Sequence, residues 1–282
     1  MKVIENISEM RAWSESRRIS GKSIGFVPTM GYLHEGHLSL IRTAKEKCDY
    51  VVVSIFVNPA QFGPNEDFSR YPRNFEKDRL MCLEEGVDII FNPTAEELYP
   101  TGYKTYVVTN DISNILCGVS RPDHFRGVTT IVAKLFNIVK PHIAVFGQKD
   151  AQQSIIIRQM ISDLNFDIET IIAPIIREPD GLAMSSRNKY LSETERKEAF
   201  VLFRSLKLAR LEMINKNSDV EDIRNKMTQL ITSESSGKID YIEFRDANTL
   251  EAKTIAEGNV LVAIAVYFGK TRLIDNVIVH TD

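Results

Sequence analysis

Two histidines three residues apart, His34 and His37, stand in the run Pro28-Thr29-Met30-Gly31-Tyr32-Leu33-His34-Glu35-Gly36-His37-Leu38. Residues i and i+3 share one side of a helical turn, so both imidazoles can donate hydrogen bonds to the oxygens of one phosphate. The apolar residues 24–27 come just before, and Leu38, Ile41, Ala44 and Cys48 follow at helical spacing. The stretch reads as a strand, a tight turn and the first turn of a helix. A helix start offers unpaired N–H groups and the positive end of the dipole, while Gly31 and Gly36 let the main chain approach a ligand with no Cβ between. By itself the His-x-Gly-His pattern also suits an ordinary strand-to-helix connection with two surface histidines.

Neutral imidazoles do not offset the charge of a triphosphate, so cations are needed elsewhere. Gly147-Gln148-Lys149-Asp150 follows the apolar residues 143–146 and opens a helical pattern, which puts Lys149 at the carboxyl edge of a sheet and suits Asp150 to ribose hydroxyls. Met184-Ser185-Ser186-Arg187 supplies two hydroxyls and a guanidinium that can grip phosphate oxygens. Taken singly, a helix-capping Lys149 and a solvated Arg187 explain these segments equally well. Other phosphate devices are absent. Gly21-Lys22-Ser23 and Gly269-Lys270-Thr271 lack the P-loop glycine five residues earlier, where Ser16 and Ile264 stand. No two glycines are two apart, which removes the dinucleotide fingerprint, and an i, i+3 histidine pair is not a zinc-protease helix.

The elements that must carry these residues alternate between strand and helix up to Pro174. Residues 51–57, Val-Val-Val-Ser-Ile-Phe-Val, are apolar almost throughout, as in a parallel strand buried on both faces. Further strands are expected at 22–27, 87–91, 105–109, 142–146 and 167–173, with helices near 8–20, 74–85, 128–139 and 150–164. Beyond Arg177 the texture changes to a polar loop, two helices announced by the Ser192/Glu195 and Ser218/Glu221 capping boxes, and three strands, the last two forming a hairpin. The expected fold is α/β: a Rossmann-like parallel-sheet domain over 1–176 that binds the nucleotide, then a small α+β domain over 177–282 acting as a lid, with a hinge at 177–188. A length of 282 residues supports two cores, and a net charge of −3 without a basic run argues against nucleic acid. No apolar span is long enough to cross a bilayer and the first residues carry no signal-peptide pattern, so a cytoplasmic location is expected. Cys48, Cys82 and Cys117 are too few and too scattered for a disulfide framework or a Cys-x-x-Cys site.

In order along the chain, the three segments resemble the nucleotidyltransferase superfamily that includes the class I aminoacyl-tRNA synthetases, with residues 184–187 as the mobile-loop counterpart. The resemblance narrows. Pro28-Thr29-Met30-Gly31, Phe56-Val57-Asn58-Pro59 with Gln61-Phe62-Gly63, Tyr71-Pro72-Arg73, His124-Phe125-Arg126-Gly127-Val128, the run from Phe146 to Gln153, and Arg177-Glu178 through Asn188 are similar to the pantoate–β-alanine ligase (pantothenate synthetase) family across nearly the whole chain. The resemblance implies an AMP-forming ligase of pantothenate biosynthesis that makes a pantoyl adenylate from (R)-pantoate and ATP and then transfers the acyl group to β-alanine. It further implies His34 and His37 on the triphosphate with His37 as proton donor, and Lys149, Ser185, Ser186 and Arg187 on the outgoing phosphates. Met30, Gly147, Asp150, Ile176 and Met184 would frame ribose and adenine. Gln61 and Gln153 would hold pantoate, with Asn58 in the same pocket. Mg2+ accompanies ATP, held mainly by phosphate oxygens and water, and a homodimer is implied. The histidine and Met-Ser-Ser-Arg devices alone would equally serve a nucleotidyltransferase that stops at a nucleotide-linked product, and the separate C-terminal domain leaves open a non-catalytic adenine-nucleotide sensor whose tail binds a partner.

Overall fold

The computed structural model describes residues 1–64, 66–216 and 218–281. The chain divides into two compact units, one made of Met1–Gly147 with Ile156–Pro174 and the other of Gln148–Ile155 with Ile175–Asp282.

The first unit holds six strands: β1 (Lys2–Ile4), β2 (Ile24–Thr29), β3 (Tyr50–Ile55), β4 (Ile89–Phe91), β5 (Ile143–Gly147) and β6 (Glu169–Ala173). They lie in the order β1-β4-β3-β2-β5-β6, and every pairing is parallel. Helices α1 (Ile7–Ile19), α2 (Glu35–Lys47), α3 (Phe75–Glu84), α4 (Ala95–Leu98), α5 (Cys117–Ser120) and α6 (His124–Val139) connect the strands up to β5, and α7 (Ala151–Asp163) precedes β6. Both faces of the sheet are covered, which is why its strands read as unbroken apolar runs. On one side Val27, Val51, Val53, Ile90 and Val145 pack with Ile41 and Ala44 of α2 and Cys82 of α3. On the other, Phe136 of α6 meets Phe26 and Phe146 edge-on, with ring centroids 6.4 and 6.5 Å apart. Each such buried ring contributes roughly 1.5–3 kcal/mol.

Two expectations about strands fail for local reasons. Residues 105–109 form no strand, because the Val107 N–H donates to the Thr130 hydroxyl at 2.9 Å and its carbonyl accepts from the Thr129 hydroxyl at 2.7 Å. Side chains of α6 satisfy the backbone that a neighbouring strand would otherwise bond. Conversely, β1 was not anticipated, since three residues are too few to show a pattern; it is fixed by pairing with β4.

The second unit is built on an antiparallel sheet, β7 (Lys238–Asp246), β8 (Gly258–Phe268) and β9 (Thr271–Thr281), with α8 (Glu193–Glu198), α9 (Val201–Ile214) and α10 (Val220–Glu234). Leu202, Leu206, Met213, Ile223, Met227, Val262, Ile264 and Val279 belong to its core. The expected hairpin is present, closed by the two residues between the Phe268–Thr271 pair. The first capping box forms as expected, with Ser192 and Glu195 exchanging side-chain bonds to each other's backbone N–H. That helix is broken, however, into α8 and α9. The second cap falls one residue later than expected, on Asp219, whose carboxylate accepts the N–H groups of Glu221 and Asp222. A carboxylate is the stronger acceptor at the positive end of a helix.

Candidate active site

In the first unit, β2 is paired to β3 on one side and β5 on the other. The chain runs outward from β2 through β3 to β4, then returns to β5, so strand order reverses at the carboxyl ends of β2 and β5, the place where open α/β sheets bind ligands. The histidine-bearing run leaves β2 there. Its turn is strained in the ordinary way, with Gly31 at φ +76° and Tyr32 at +53°. Asp78 of α3, 1% exposed, reaches into this turn and accepts the N–H groups of Tyr32 and Leu33, both at 2.7 Å. Gly31 was expected to make room for a ligand; in the structure the room beside it is taken by Asp78, whose Oδ2 would lie 2.9 Å from a Cβ there. Burial pushes the Asp78 carboxyl above its usual range, against the two backbone N–H bonds and Lys77, which pull it down. Asp78 is thus the brace of the loop.

His34 is the N-cap of α2 and His37 lies in its first turn. Nδ1 of His34 accepts the Gly36 N–H at 3.1 Å, and Nδ1 of His37 accepts the His34 N–H at 3.2 Å. Because Nδ1 is an acceptor in both, the proton of each neutral ring sits on Nε2. The two ring centroids are 4.1 Å apart, so the imidazoles lie side by side. An imidazolium at either position would need a proton on Nδ1 and would lose the cap bond. Glu35 and Gly36 contribute the first helical residues between them.

Gln61 and Asn58 follow β3. Asn58, 1% exposed, gives both amide hydrogens to protein acceptors, Gln61 Oε1 at 3.1 Å and the Gly127 carbonyl at 3.0 Å, and its oxygen accepts from the Tyr99 hydroxyl at 2.9 Å and the Ala60 N–H at 3.3 Å. All four of its bonding positions are filled from within the protein, which suits Asn58 to orienting Gln61. The Gln61 amide also reaches Met30, Nε2 to Sδ 3.2 Å, so Met30, Asn58 and Gln61 are brought together.

The remaining expected residues fall in or at the edge of the second unit. Gly147 ends β5, and Gln148–Asp150 is a short 3-10 turn in which Lys149 Nζ lies 3.2 Å from Asp150 Oδ2. Gln153 is half-buried in the first turn of α7. The segment expected as a polar loop is a small ladder. The Met184 N–H donates to the Ile176 carbonyl at 3.0 Å, Arg177 bridges to Ala183, and the Gly181 N–H closes the tip on the Glu178 carbonyl at 2.8 Å. Asn188 donates to Glu178 Oε1 at 2.7 Å and to the Ala183 carbonyl at 3.1 Å. Ser185 caps the 3-10 turn Ser186–Tyr190 by accepting the Arg187 N–H at 3.2 Å, and Ser186 is buried. Ile176 and Met184 are therefore neighbours, as are Ser185, Ser186 and Arg187.

Residues 2–278 match the family described as pantoate–beta-alanine ligase. The chain belongs to this family. A pantothenate synthetase from Caldicellulosiruptor bescii is 57% identical over 99% of this chain and 99% of its own length, and one from Thermotoga petrophila is 57% identical with the same shares. Among solved structures, a pantothenate synthetase from Thermus thermophilus superposes with a TM-score of 0.93 at 41% identity, covering 98% of this chain and 99% of that one. A pantoate–β-alanine ligase from Francisella tularensis, complexed with β-γ ATP and β-alanine, has a TM-score of 0.81 at 37% identity over 98% and 97% of the two chains.

With the ligase family in hand, the His-Phe-Arg-Gly-Val motif gains a physical reason that sequence reading did not supply. A Cβ on Gly127 would lie 2.2 Å from the Ala60 carbonyl oxygen, so only glycine lets α6 pack against the residues before Gln61. His124 Nδ1–H donates to the Gln61 carbonyl at 2.9 Å, and its Nε2 accepts from Arg121 at 3.0 Å. Arg121 is held in turn by Glu66, Nε to Oε1 3.0 Å. Gln61 is thus fixed at its side chain by Asn58 and at its backbone by His124. The quoted motif was the available signal; what it touches was not legible.

Proposed function

We propose that the chain condenses (R)-pantoate with β-alanine at the expense of ATP, giving pantothenate, AMP and diphosphate. A pantoate carboxylate oxygen attacks the α-phosphorus and the bond to the bridging oxygen breaks, releasing diphosphate. The β-alanine amine then attacks the acyl carbon of the pantoyl adenylate, the carbon–oxygen bond breaks, AMP leaves and the amine proton passes to solvent. No side chain becomes a covalent nucleophile, so catalysis rests on alignment and on donors aimed at developing charge. The observation that carries this reading is the capped histidine pair at the reversal of strand order, with both Nδ1 atoms fixed by backbone N–H groups at the start of α2.

In this reading His34 and His37 bind the triphosphate, His37 as the donor toward the departing diphosphate. Lys149, Ser185, Ser186 and Arg187 offset the outgoing charge. The turn from Met30 to Leu33, with Gly147, Gln148, Asp150, Ile176 and Met184, frames ribose and adenine. Gln61 and Gln153 hold pantoate, with Asn58 keeping the Gln61 amide in place. Among the described residues no group of three or more His, Cys, Asp or Glu side chains could hold a metal ion. The Mg2+ that accompanies ATP would be held mainly by phosphate oxygens and water, a mode this small, hard cation favours, and when bound it would neutralise phosphate charge. In this reading the second unit serves as a lid over the nucleotide. The enzyme works as a homodimer, a reading taken from the family resemblance; a single-chain mass by sedimentation equilibrium overturns the dimer. Among the described residues no helix is long and apolar enough to cross a membrane.

The test supplies ATP, Mg2+ and pantoate with and without β-alanine. Steady AMP release is expected only when β-alanine is present. Equal release without it overturns the ligase reading in favour of an enzyme that stops at the nucleotide-linked product.

A further inference from the structure

Strand β9 carries two adjacent buried polar residues, Asn276 bonded to the turn that bears Lys149 and Asp275 bonded to Arg177, at the start of the ladder that leads to residues 185–187. Successive side chains of a strand leave opposite faces, so the pair reaches in two directions at once. Asn276 is 3% exposed. Its Nδ2 donates to the carbonyl oxygens of Gln148 and Lys149, both at 3.0 Å, and its Oδ1 accepts from Gln148 Nε2 at 3.2 Å. Those two carbonyls belong to the peptide groups on either side of the Lys149 Cα. One amide therefore holds both peptides and with them the direction in which the lysine leaves the backbone.

Asp275, its side chain 0% exposed, takes the Arg177 guanidinium at two points, Nη1 to Oδ2 2.6 Å and Nη2 to Oδ1 3.0 Å, and accepts the Asn276 N–H at 2.8 Å. Arg177 also donates to the Gly181 carbonyl at 3.0 Å and lies over the Phe203 ring, 4.7 Å from its centroid. It is thereby immobilised at the foot of the ladder that ends at Met184. Of the other buried positions of β9, Leu273 and Val279 are apolar and Thr271, at the hairpin end, carries a hydroxyl. A buried amide beside a buried ion pair is costly to desolvate, and apolar residues would fill a strand as well.

We propose that Asp275 and Asn276 form a shared anchor that positions Lys149 and the 177–187 segment for ATP. Both are positioning residues, and the inference rests on the assignment of Lys149 and residues 185–187 to the phosphates. The experiment measures pantoate-dependent exchange of labelled diphosphate into ATP, without β-alanine, for the parent enzyme, Asn276→Ala, Lys149→Ala and the double variant. Asn276→Ala is expected to lower the exchange kcat about 30-fold, as a displaced catalytic group does, with KM for pantoate within about twofold. On the Lys149→Ala background the same change is expected to cost less than about threefold, since its effect passes through a side chain already removed. Equal losses on both backgrounds, or no loss on the parent, overturn the anchor while leaving the ligase reading intact. A fully active Lys149→Ala enzyme overturns the assignment of Lys149 and the anchor with it, before Asn276 is considered. Should Asn276→Ala not fold, Asn276→Ser, which keeps a hydroxyl donor, is carried through the same cycle with the same outcomes. Asp275→Asn against Arg187→Ala tests the other arm in the same way.

Discussion

His34 and His37 each do two jobs with opposite ends of one ring. Nδ1 closes the helix start, so the cap that stabilises α2 also selects the tautomer of each neutral ring, with its proton on Nε2, the atom to which the proposed function assigns the phosphate contact. Removing one ring separates the two contributions. His37→Ala is expected to lower the rate of diphosphate release about 100-fold or more, the typical loss of one donor to a developing anion. It should cost only about 1 kcal/mol in denaturant unfolding, the worth of one cap bond. Rapid-quench measurement of the first step checks the rate, and near-parental release counts against the role given to His37. Asp78 is a different kind of residue. Its two N–H bonds at 2.7 Å shape the turn before the histidines, and its type alone gave no hint of that, because an acid near a phosphate site invites a metal reading instead.

The strands around β2 were legible because parallel strands covered on both faces must be apolar throughout. Residues 105–109 carried a similar pattern yet pair with threonine hydroxyls of α6, and pattern does not say which partner a backbone group will find. The 177–188 segment looked like a polar loop for the same reason. What orders it is a set of bonds to distant residues, among them Arg196 of α8, which donates to Asp180 at 2.6 Å and to Glu178 at 2.5 Å. The Arg196 guanidinium holds the Asp180 carboxyl below its ordinary 3.8. A lowered acid contributes stability that is complete above its unfolded value and is lost as pH falls through its folded one. The Asp180 side chain is 40% exposed, so solvent screening keeps the contribution to about 0.5 kcal/mol. Arg196→Gln is expected to be less stable than the parent by that amount at pH 6 in low salt, with the gap closing as pH drops below 3.8. Unfolding curves across that range check it, and a constant gap would show that the ion pair is not its source.

Each unit has its own apolar core, and the residues assigned to ATP are distributed between them. If one nucleotide engages both sets, ATP with Mg2+ and a non-reacting pantoate analogue should slow amide exchange at 31–37 and at 184–188 together. At about 100 times Kd the ligand should add about 2.7 kcal/mol to stability. Hydrogen exchange followed by mass spectrometry reads both segments in one experiment. Protection confined to one of them removes the shared site and the lid with it.

The order of short motifs along the chain was enough to mark an α/β nucleotide-binding protein of the pantoate–β-alanine ligase family, because chemistry at a helix start needs particular residue types at fixed local spacing. Local spacing says nothing about contacts between residues far apart in the chain. That Asp78 braces the histidine turn, that His124 and Gly127 fix Gln61, and that Asn276 holds both peptides around Lys149 emerged only from the folded chain, since a hydrogen bond is chosen by which groups folding brings within about 3 Å.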